Sequence, residues 1–563
     1  MGQYSQELLG SVSVRSLNRR DFLRATSAGI TALAGSQFFL TDWARSQSPE
    51  ALAKGPSFDK GQLRALAQKA LEAARASGAK FADVRILIAT SLSVNVSDSG
   101  ALAPYLWNRA EIGVRAVVDS TFGFAGDVLE LDADKVALLA QTAVARSRAG
   151  HARKARSFEF VPAPVVINGS WQTPIEIDPF TVPVGEQEAL LLDGLDAVKI
   201  VKASEPVLAS CGVAWMRHED IFASTEGSTI EQRTYTAMAS AVAAARSAHD
   251  KSLLLVRQVG SLRSGGYGYE ALRQANLKTE WRRAAEEAVR LSAQRTKSVE
   301  VGRYDLVLSA AATANLLVAT IGHPLELDRA LMLSTNDKGT TYAMPPDKVL
   351  GKLQVGSPLV NVTANRSQPG AGATVGWDSE GVKPDNFTLL REGILVDYVT
   401  TRETAPALRG WYEAHGQQTR SHGCTIGSGA DQPALHLPNL TLNHGATQIS
   451  VDELIKDVKK GFFIDNTAPP SVDQTGSNTQ IPVQVAEEIV NGQRTGLSTN
   501  MAISFTTPQF WRGADAIGGS ESIMTQNLEI QDPQIYNDLG LIGVTTVPMR
   551  VRKVNVTNTG KKS

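Results

Sequence analysis

The feature that most constrains the fold is a pair of long alternating runs enclosed by two amphipathic helices. The runs are "FADVRILIATSLSVNVSD" and "EIGVRAVVDSTFGFAGD", in which apolar residues tend to alternate with polar ones. The helical segment "DKGQLRALAQKALEAARASG" precedes them and is closed by Gly78, and "DADKVALLAQTAVARSRA" follows them with Asp132 as its N-cap. Paired strands flanked by helices predict an α+β arrangement.

A second block follows the same plan from about residue 186 to residue 247. It begins with a helix, and its strands form a predicted hairpin that turns at Glu226-Gly227. Farther along, short β-like runs with turn signals dominate, and "VAEEIVNGQRTG" carries the Asn-Gly pair of a tight hairpin. The first part of the chain is therefore predicted to combine helices and strands, and the later part to be mostly β.

The length of the chain implies more than one hydrophobic core. A chain of 563 residues is too long for a single compact core. We therefore predict a two-domain α+β fold, with an N-terminal α+β domain over residues 55–300. A mostly β C-terminal domain is predicted over residues 301–563, with a helix around Leu316 near its start.

Composition excludes some classes of protein. The chain carries 56 Lys and Arg against 57 Asp and Glu, with a formal net charge of −1 and no long basic block. This balance argues against nucleic acid as the main partner. Beyond the first forty residues no apolar run is long enough to span a bilayer, so we predict no transmembrane span in the mature chain.

The N-terminus has the pattern of a twin-arginine export signal. Arg19-Arg20 is followed by "DFL", and a moderately apolar run rich in Ala and Gly extends from Ala25 to Leu40. We predict that residues 1–46 form this signal, with cleavage possible as late as Ala53. An amphipathic N-terminal helix is the alternative. The export signal predicts a periplasmic protein that leaves the cytoplasm already folded.

Cys211 and Cys424 are the two cysteines of the chain. In an oxidising compartment they could form a disulfide, and the sequence leaves this open. "RSHGCTIGSG" places His422 close to Cys424 and is interpreted as a loop, with a metal role as the alternative.

The stretch "LLVATIGHPLELD" holds a histidine, a glutamate and an aspartate within six residues of each other, after an apolar run. His323 and Glu326 are three apart, so on a helix they would share a face and could hold a metal together. Pro324 disfavours a regular helix there. A lone histidine after an apolar run is more often a hydrogen-bonded structural residue, so both interpretations stand.

The order of landmarks resembles the TldD/PmbA family of metallopeptidases across most of the mature chain. The similar segments, in order, are "GVRAVVDSTFGFA", "ASTEGSTIEQRTY", "GGYGYE", "YDLVLSAAATANLLVATIGHPLELD", "LLREGILVDYVTTRETA", "RSHG" and "AEEIVNGQRTG". Their collinear order from Gly113 to Gly496 carries the resemblance more than any single motif does. Arg115, within the first segment, is interpreted as structural.

The resemblance implies a zinc helix with the pattern His-Glu, three residues, then His. In such a site two imidazoles and a distant cysteine hold Zn²⁺, and the glutamate acts as general base on a metal-bound water. Ligands five residues apart point about 140° apart on a regular α-helix, so the family helix must be bent or locally rewound.

Aligned to this pattern without gaps, the present chain keeps the spacing of the segment but lacks most of the residues that would hold zinc and activate water. The first ligand position falls on Val318, the general base on Ala319 and the second ligand on His323, while Glu326 fits the downstream pattern. The segment before the C-terminus, where the family cysteine is expected, contains no cysteine. We therefore expect no confident catalytic residue and no cofactor, with zinc as the open alternative.

Three hypotheses follow. The first is a metal-free, non-catalytic subunit or peptide-binding partner, which binds peptide or unfolded polypeptide and forms a homodimer or a heterodimer with a TldD/PmbA-type subunit. The second is an active zinc metallopeptidase with a rebuilt site, in which His323 and Glu326 are joined by His422 or Cys424. The third is an exported scaffold or binding protein that keeps only the fold.

Overall fold

The computed structural model describes most of the chain after residue 57. The predicted export signal, residues 1–46 with cleavage possible as late as Ala53, lies outside this part, so its structure is not described. Within the described part, no helix is long and apolar enough to cross a membrane. The described ranges are 58–152, 159–203, 206–251, 253–258, 264–333, 338–427, 429–530 and 540–560.

The first helix, α1 (Lys60–Ala76), forms as predicted. Asp59 caps it, because its carboxylate accepts the backbone N–H of Gln62 at 2.8 Å. The chain leaves the helix through Gly78, whose φ of +94° is a conformation that favours glycine. The buried face recurs every three or four residues and comprises Leu63, Leu66, Ala67, Ala70, Leu71 and Ala74.

The strands before residue 259 form one sheet in the order β4-β3-β1-β6-β7-β5, with β2 beside β1 and β8 beside β7. The predicted hairpin at Glu226-Gly227 is confirmed, because β6 and β7 pair in register on either side of it. The strands are β1 (Phe81–Ser97), β2 (Gly100–Ala101), β3 (Tyr105–Val118), β4 (Thr121–Val128), β5 (Gly169–Gln172), β6 (Leu208–Ser224), β7 (Thr229–Arg246) and β8 (Leu254–Gln258).

Helices cover one face of this sheet. Side chains of β1 that point to this face, such as Val84 and Val94, join two core clusters with the helices. Asp83 and Arg85 point to the opposite face, which meets the C-terminal half of the chain. The helices are α1, α2 (Ala133–Ala152), α3 (Val184–Lys199), α4 (Glu270–Gln274) and α5 (Leu277–Ser292).

The C-terminal half contains two larger sheets. In one sheet, the strands β19, β17, β10, β24 and β20 form a closed ring, because β19 also pairs with β20. These strands are β9 (Thr296–Ser298), β10 (Gly302–Leu308), β17 (Lys460–Ile464), β18 (Ser471–Val472), β19 (Asn478–Val490), β20 (Gln493–Thr506), β21 (Ala514–Ile517) and β24 (Met549–Asn558).

The hairpin between β19 and β20 turns at Asn491-Gly492, as predicted. The φ angles of these two residues are +47° and +76°, which is the turn geometry that an Asn-Gly pair favours.

The remaining large sheet has the order β13-β12-β11-β16-β23-β22, which places β22 at an edge. Its strands are β11 (Val362–Asn365), β12 (Phe387–Arg391), β13 (Ile394–Leu395), β16 (Asn439–Leu442), β22 (Met524–Ile530) and β23 (Gly540–Thr546), and a small sheet pairs β14 (Thr425–Ile426) with β15 (Ala434–Leu435). Short helices connect these strands: α6 (Ala310–Leu317), α7 (Leu327–Ala330), α8 (Pro346–Val349), α9 (Arg409–Ala414), α10 (Val451–Lys456) and α11 (Thr507–Arg512).

Buried ion pairs join the first sheet to the C-terminal half. Arg115 Nη2 lies 2.6 Å from Asp83 within the sheet, and its Nη1 lies 2.8 Å from Glu380 beyond it. Arg402 in turn binds Glu226 at 2.8 Å. Since a buried charge is costly without a partner, these pairs favour one position of the first sheet against the C-terminal half. Arg115 thus has the structural role that was expected of it.

Candidate functional site

The segment that resembles the family's zinc helix is rewound where the family ligands would lie. Helix α6 runs from Ala310 to Leu317, and the hydroxyl of Ser309 caps its N-terminus. The next five residues, Val318–Gly322, form a π-helical turn, and the N–H of His323 donates to the carbonyl of Val318. With this i→i+5 hydrogen bond, two residues separated by five positions lie about one helical turn from each other on the same side of the helix. Val318 and His323 therefore face the same cavity.

Polar contacts hold the π-turn in place. The Thr320 hydroxyl donates to the carbonyl of Leu316 at 2.6 Å and accepts the indole N–H of Trp511 at 2.9 Å. Tyr342 donates to the carbonyl of Thr320 at 3.0 Å. A π-turn disturbs the regular backbone ladder, and these side chains satisfy its polar groups.

Gly322 packs the turn against β16. A Cβ at this position would lie 2.8 Å from the side chain of Leu440 and 3.1 Å from that of Leu437. The close approach explains a glycine immediately before His323, because a larger residue would push the turn away from the core.

The residues aligned with the family's zinc motif differ in their surroundings. Val318 is 8% exposed and lies with Ala319 in the cavity wall, and neither side chain can ligate a metal or take a proton. His323 Nδ1 lies 3.5 Å from Glu326 Oε1, an ion-pair distance at which no hydrogen bond forms. Glu326 is fully buried.

Glu326 is held by cations. Its carboxylate accepts a hydrogen bond from Arg329 Nε at 2.7 Å and lies 4.0 Å from Lys338 Nζ. Burial raises the pKa of Glu326, but Lys338, His323 and Arg329 together lower it well below its usual range. Among the described residues, no three His, Cys, Asp or Glu side chains come together as a metal site.

The cavity beside His323 has a volume of about 1870 Å³. Its wall comes from both halves of the chain, with Arg257 and Glu287 from the N-terminal half and Asp465 from the C-terminal half. Asp465 directly follows β17, which runs parallel to β10. Burial raises the pKa of Asp465, and neighbouring arginines offset only part of this effect.

An edge strand also lines this cavity. Within the described part of the chain, β22 pairs only with β23. Five of its residues face the cavity: Met524, Gln526, Asn527, Leu528 and Glu529. An edge strand presents backbone donors and acceptors that an extended peptide can use.

His422 lies elsewhere, in a buried cluster. Its Nδ1 is 2.9 Å from Asp385 and its Nε2 is 3.1 Å from Asp397, and its ring stacks on Phe387 with centroids 3.8 Å apart. Tyr412 donates to Asp397 at 2.8 Å. Burial lowers the pKa of His422, but Asp397 and Asp385 outweigh it and raise the pKa to about 9. The raised pKa favours an imidazolium at neutral pH, in which each ring nitrogen donates to a carboxylate.

The two cysteines are separate, buried and free. Cys211 belongs to the core of the first sheet and Cys424 to that of the C-terminal half, so the disulfide that the sequence left open is absent. Burial raises the pKa of both thiols, which disfavours the thiolate needed for a metal. Neither His422 nor Cys424 is among the described residues that line the His323 cavity.

Several polar residues of these walls were not singled out from the sequence. Asp465 had a usable signal, since it follows a buried run, "GFFI", at the carboxyl end of a parallel strand. Lys338 had none, because the turn that buries it beside Glu326 has no periodic pattern. Arg85, which lines a separate and smaller cavity, had no distinguishing signal because it lies in an ordinary alternating strand.

Comparison with known proteins places the chain in a family. Residues 301–558 match the PmbA/TldA metallopeptidase C-terminal domain. A metalloprotease of Methanocaldococcus jannaschii is 27% identical over 249 residues, which span 44% of this chain and 49% of that protein. A metalloprotease of Methanothermobacter thermautotrophicus is 27% identical over 346 residues, or 60% of this chain and 68% of that protein. The chain thus spans about half the length of the first of these relatives.

Solved structures share the fold over most of the chain. A proposed modulator of a DNA gyrase from Thermotoga maritima superposes with a TM-score of 0.65 at 16% identity, covering 88% of this chain and 100% of that one. TldE from Thermococcus kodakarensis superposes with a TM-score of 0.63 at 13% identity and the same coverage. Residues 301–558 thus carry the C-terminal domain of the TldD/PmbA family, and these likenesses agree with the order of motifs along the sequence and support that family for the chain.

Proposed function

We propose that this protein is a metal-free member of its family that binds extended polypeptide in the His323 cavity and does not cleave it. The observation that carries the proposal is the pair Val318 and Ala319, which stand in the cavity wall where the family's first ligand and general base would be. Among the described residues, His323 is the one histidine of that wall.

Electrostatics support a site without metal. Arg329 and Lys338 already neutralise Glu326, which is the one carboxylate among the described residues within ion-pair distance of His323. A divalent cation at His323 would meet these two positive charges in a partly dry wall, where like charges repel strongly.

The shape of the cavity supports a polypeptide ligand. Its volume of about 1870 Å³ exceeds what a drug-sized molecule fills. The edge strand β22 can add a peptide strand through main-chain hydrogen bonds, and this recognition needs no metal. We expect modest sequence preference, because the wall contains both acids and bases.

A second subunit fits this function. The resemblance to PmbA-type subunits, which lack the zinc motif, supports assembly with a TldD-type subunit that supplies the catalytic metal; a homodimer is the alternative. The twin-arginine pattern of residues 1–46 supports export, and we place the protein in the periplasm. Replacing Arg19-Arg20 by two lysines should retain a tagged protein in the cytoplasm, and unchanged periplasmic recovery would overturn the export proposal.

The test of the site is metal stoichiometry. Mature protein, purified without chelators or added zinc, should contain less than about a tenth of an equivalent of any transition metal by elemental mass spectrometry. His323→Ala should leave this value unchanged, as should His444→Ala, a matched exposed histidine. Near one equivalent, lost in His323→Ala and kept in His444→Ala, would instead support the rebuilt peptidase.

Turnover and binding are then measured on the same protein. Extended peptides should bind without being hydrolysed, and a chelator should change neither result. Hydrolysis that a chelator abolishes would overturn the proposal. Absence of both peptide binding and a partner subunit would favour the exported scaffold.

A further inference from the structure

A second, smaller cavity of about 450 Å³ lies between the first sheet and the C-terminal half. The face of the sheet that no helix covers forms its floor, and the loop around residues 366–379 forms its roof. Three basic side chains line it: Arg85 from β1, Arg366 from the loop and Lys383 at the exposed rim. Trp171 and Phe222 provide aromatic walls. The volume is that of a small-molecule site.

Arg85 uses only part of its hydrogen-bonding capacity. The side chain is buried, and its Nη1 donates to Asp83 Oδ1 at 2.7 Å. Its Nε and Nη2 are also buried and have no acceptor among the described residues. Buried guanidinium donors without acceptors are rare in proteins, because desolvation makes them costly.

A neighbouring arginine shows what full compensation looks like. Arg115 shares Asp83 with Arg85, yet its Nε and Nη2 donate to Asp83 Oδ2 at 2.9 and 2.6 Å and its Nη1 donates to Glu380. Burial lowers the pKa of Arg115, but Asp83 and Glu380 outweigh it and raise the pKa above its usual value. In Arg85 burial dominates and lowers the pKa to about 10. Asp83 and Glu380 thus compensate the positive charge of Arg115 more fully than that of Arg85.

We propose that this cavity binds the carboxylate of a small organic acid or of a peptide C-terminus, and that Arg85, which lines the cavity, turns its unpartnered Nε–Nη2 edge toward the ligand. Those two N–H groups lie on one edge of a planar fork, which matches the two oxygens of a carboxylate. Arg366 and Lys383 add positive charge around the ligand.

A carboxylate fits better than a phosphate. Asp378 lies in the same wall, where it accepts backbone N–H groups from Glu380 and Val382, each at 2.9 Å. Burial and Glu380 raise the pKa of Asp378 to about 6, so it is mainly ionised at neutral pH. A dianion would meet more repulsion from it than a monoanion does.

The test compares ligands that differ only in the carboxylate. Calorimetric titration of the full mature protein with acetyl-diglycine should show saturable one-to-one binding, and the C-terminal amide of the same peptide should not bind. Acetate, a monoanion, and inorganic phosphate serve as further probes. Equal binding of acetate would identify free small acids as ligands, and selective binding of the peptide acid would identify a chain terminus. Binding of phosphate alone, or no binding of any carboxylate, would overturn the proposal.

Variants locate the receptor. Arg85→Lys keeps the charge and removes the fork, and it should weaken binding by about tenfold or more. Equal affinity in this variant would overturn the assignment of Arg85. Should that variant not fold, Lys383→Gln at the exposed rim should weaken binding about twofold or threefold, since exposed charges contribute little. Lys348→Gln, an exposed lysine on α8, is the matched control and should leave binding unchanged.

Discussion

His422 lies between two carboxylates in the core of the C-terminal half, whereas His323 lies in a cavity wall beside one carboxylate that cations already hold. His422 has hydrogen-bond partners on both ring nitrogens, at 2.9 and 3.1 Å, and a stacked ring. The side chain of His323 is 27% exposed and its nearest charged partner is 3.5 Å away. The histidine that the family pattern marks is therefore the more weakly fixed of the two.

The difference shows that the backbone turn at His323 is held by packing and hydrogen bonds rather than by the charge of the histidine. The π-turn that would align two ligands persists because Thr320, Trp511 and Gly322 hold it, and none of these contacts needs a metal. The His422 cluster, by contrast, is held by its own charges. Substitution of His422 should therefore lower stability strongly and in a pH-dependent way, whereas substitutions in the turn around His323 should have smaller effects on stability.

The largest expected effect is that of His422→Ala on stability. Removing the imidazole leaves Asp385 and Asp397 without their shared cation in a largely buried site, which should cost about 4 kcal/mol of unfolding free energy. Urea denaturation of the wild type and the variant measures it. His415→Ala, an exposed histidine, should change stability by less than about 0.5 kcal/mol. Equal effects at the two positions would remove the contrast on which the comparison rests.

The next effect is a pH dependence. The pKa of His422 is raised from 6.5 to about 9 in the folded protein. The stabilisation is therefore fully present below pH 6.5 and is lost as the pH rises through about 9, with a total of about 3 kcal/mol. Unfolding midpoints of wild type and His422→Gln, measured from pH 6 to pH 10, should converge at the alkaline end. Parallel curves would mean that the imidazole is neutral in the fold.

A smaller effect should follow Gly322→Ala. The added methyl group would press on Leu437 and Leu440 and displace the π-turn, at a cost of about 1–2 kcal/mol. Gly410→Ala is the matched control, because nothing lies within 4 Å of a Cβ built there. That variant should be neutral or slightly more stable, as alanine favours a helix. A neutral Gly322→Ala would show that the turn is not tightly seated.

The smallest effect is expected for His323→Ala. The long, partly exposed contact with Glu326 should contribute less than about 1 kcal/mol, because Arg329 continues to bind that carboxylate. A loss comparable to that of His422→Ala would mean that His323 is a core residue, and the comparison would then fail.

Much of the secondary structure followed from periodic patterns. The helices around residues 60–76 and 133–152, the strand pair after Gly78 and both hairpins were predicted, because spacing, caps and turn residues act locally. The division near residue 300 remains a prediction, although the first sheet ends at Gln258 and β9 already pairs with β20.

The candidate site was predictable only in part. The motif pattern located Val318, Ala319 and His323, and ligand spacing required a local rewinding that the π-turn provides. Glu326 was interpreted as a companion of His323, but its main partner is Arg329 and its neighbour is Lys338. The proximity of Lys338 to Glu326 depends on tertiary folding, which the motif pattern does not record.

The sequence by itself determined the resemblance to the family, the local elements and the identity of Val318 and Ala319, because residue identity decides whether a side chain can ligate a metal or take a proton. Tertiary structure alone decided that Cys211 and Cys424 stay apart, that His422 is held by Asp385 and Asp397, and that Arg85 lines a cavity with two unused donors. The physical reason is that burial and charge pairing depend on distances between segments far apart in the chain, which no local pattern records.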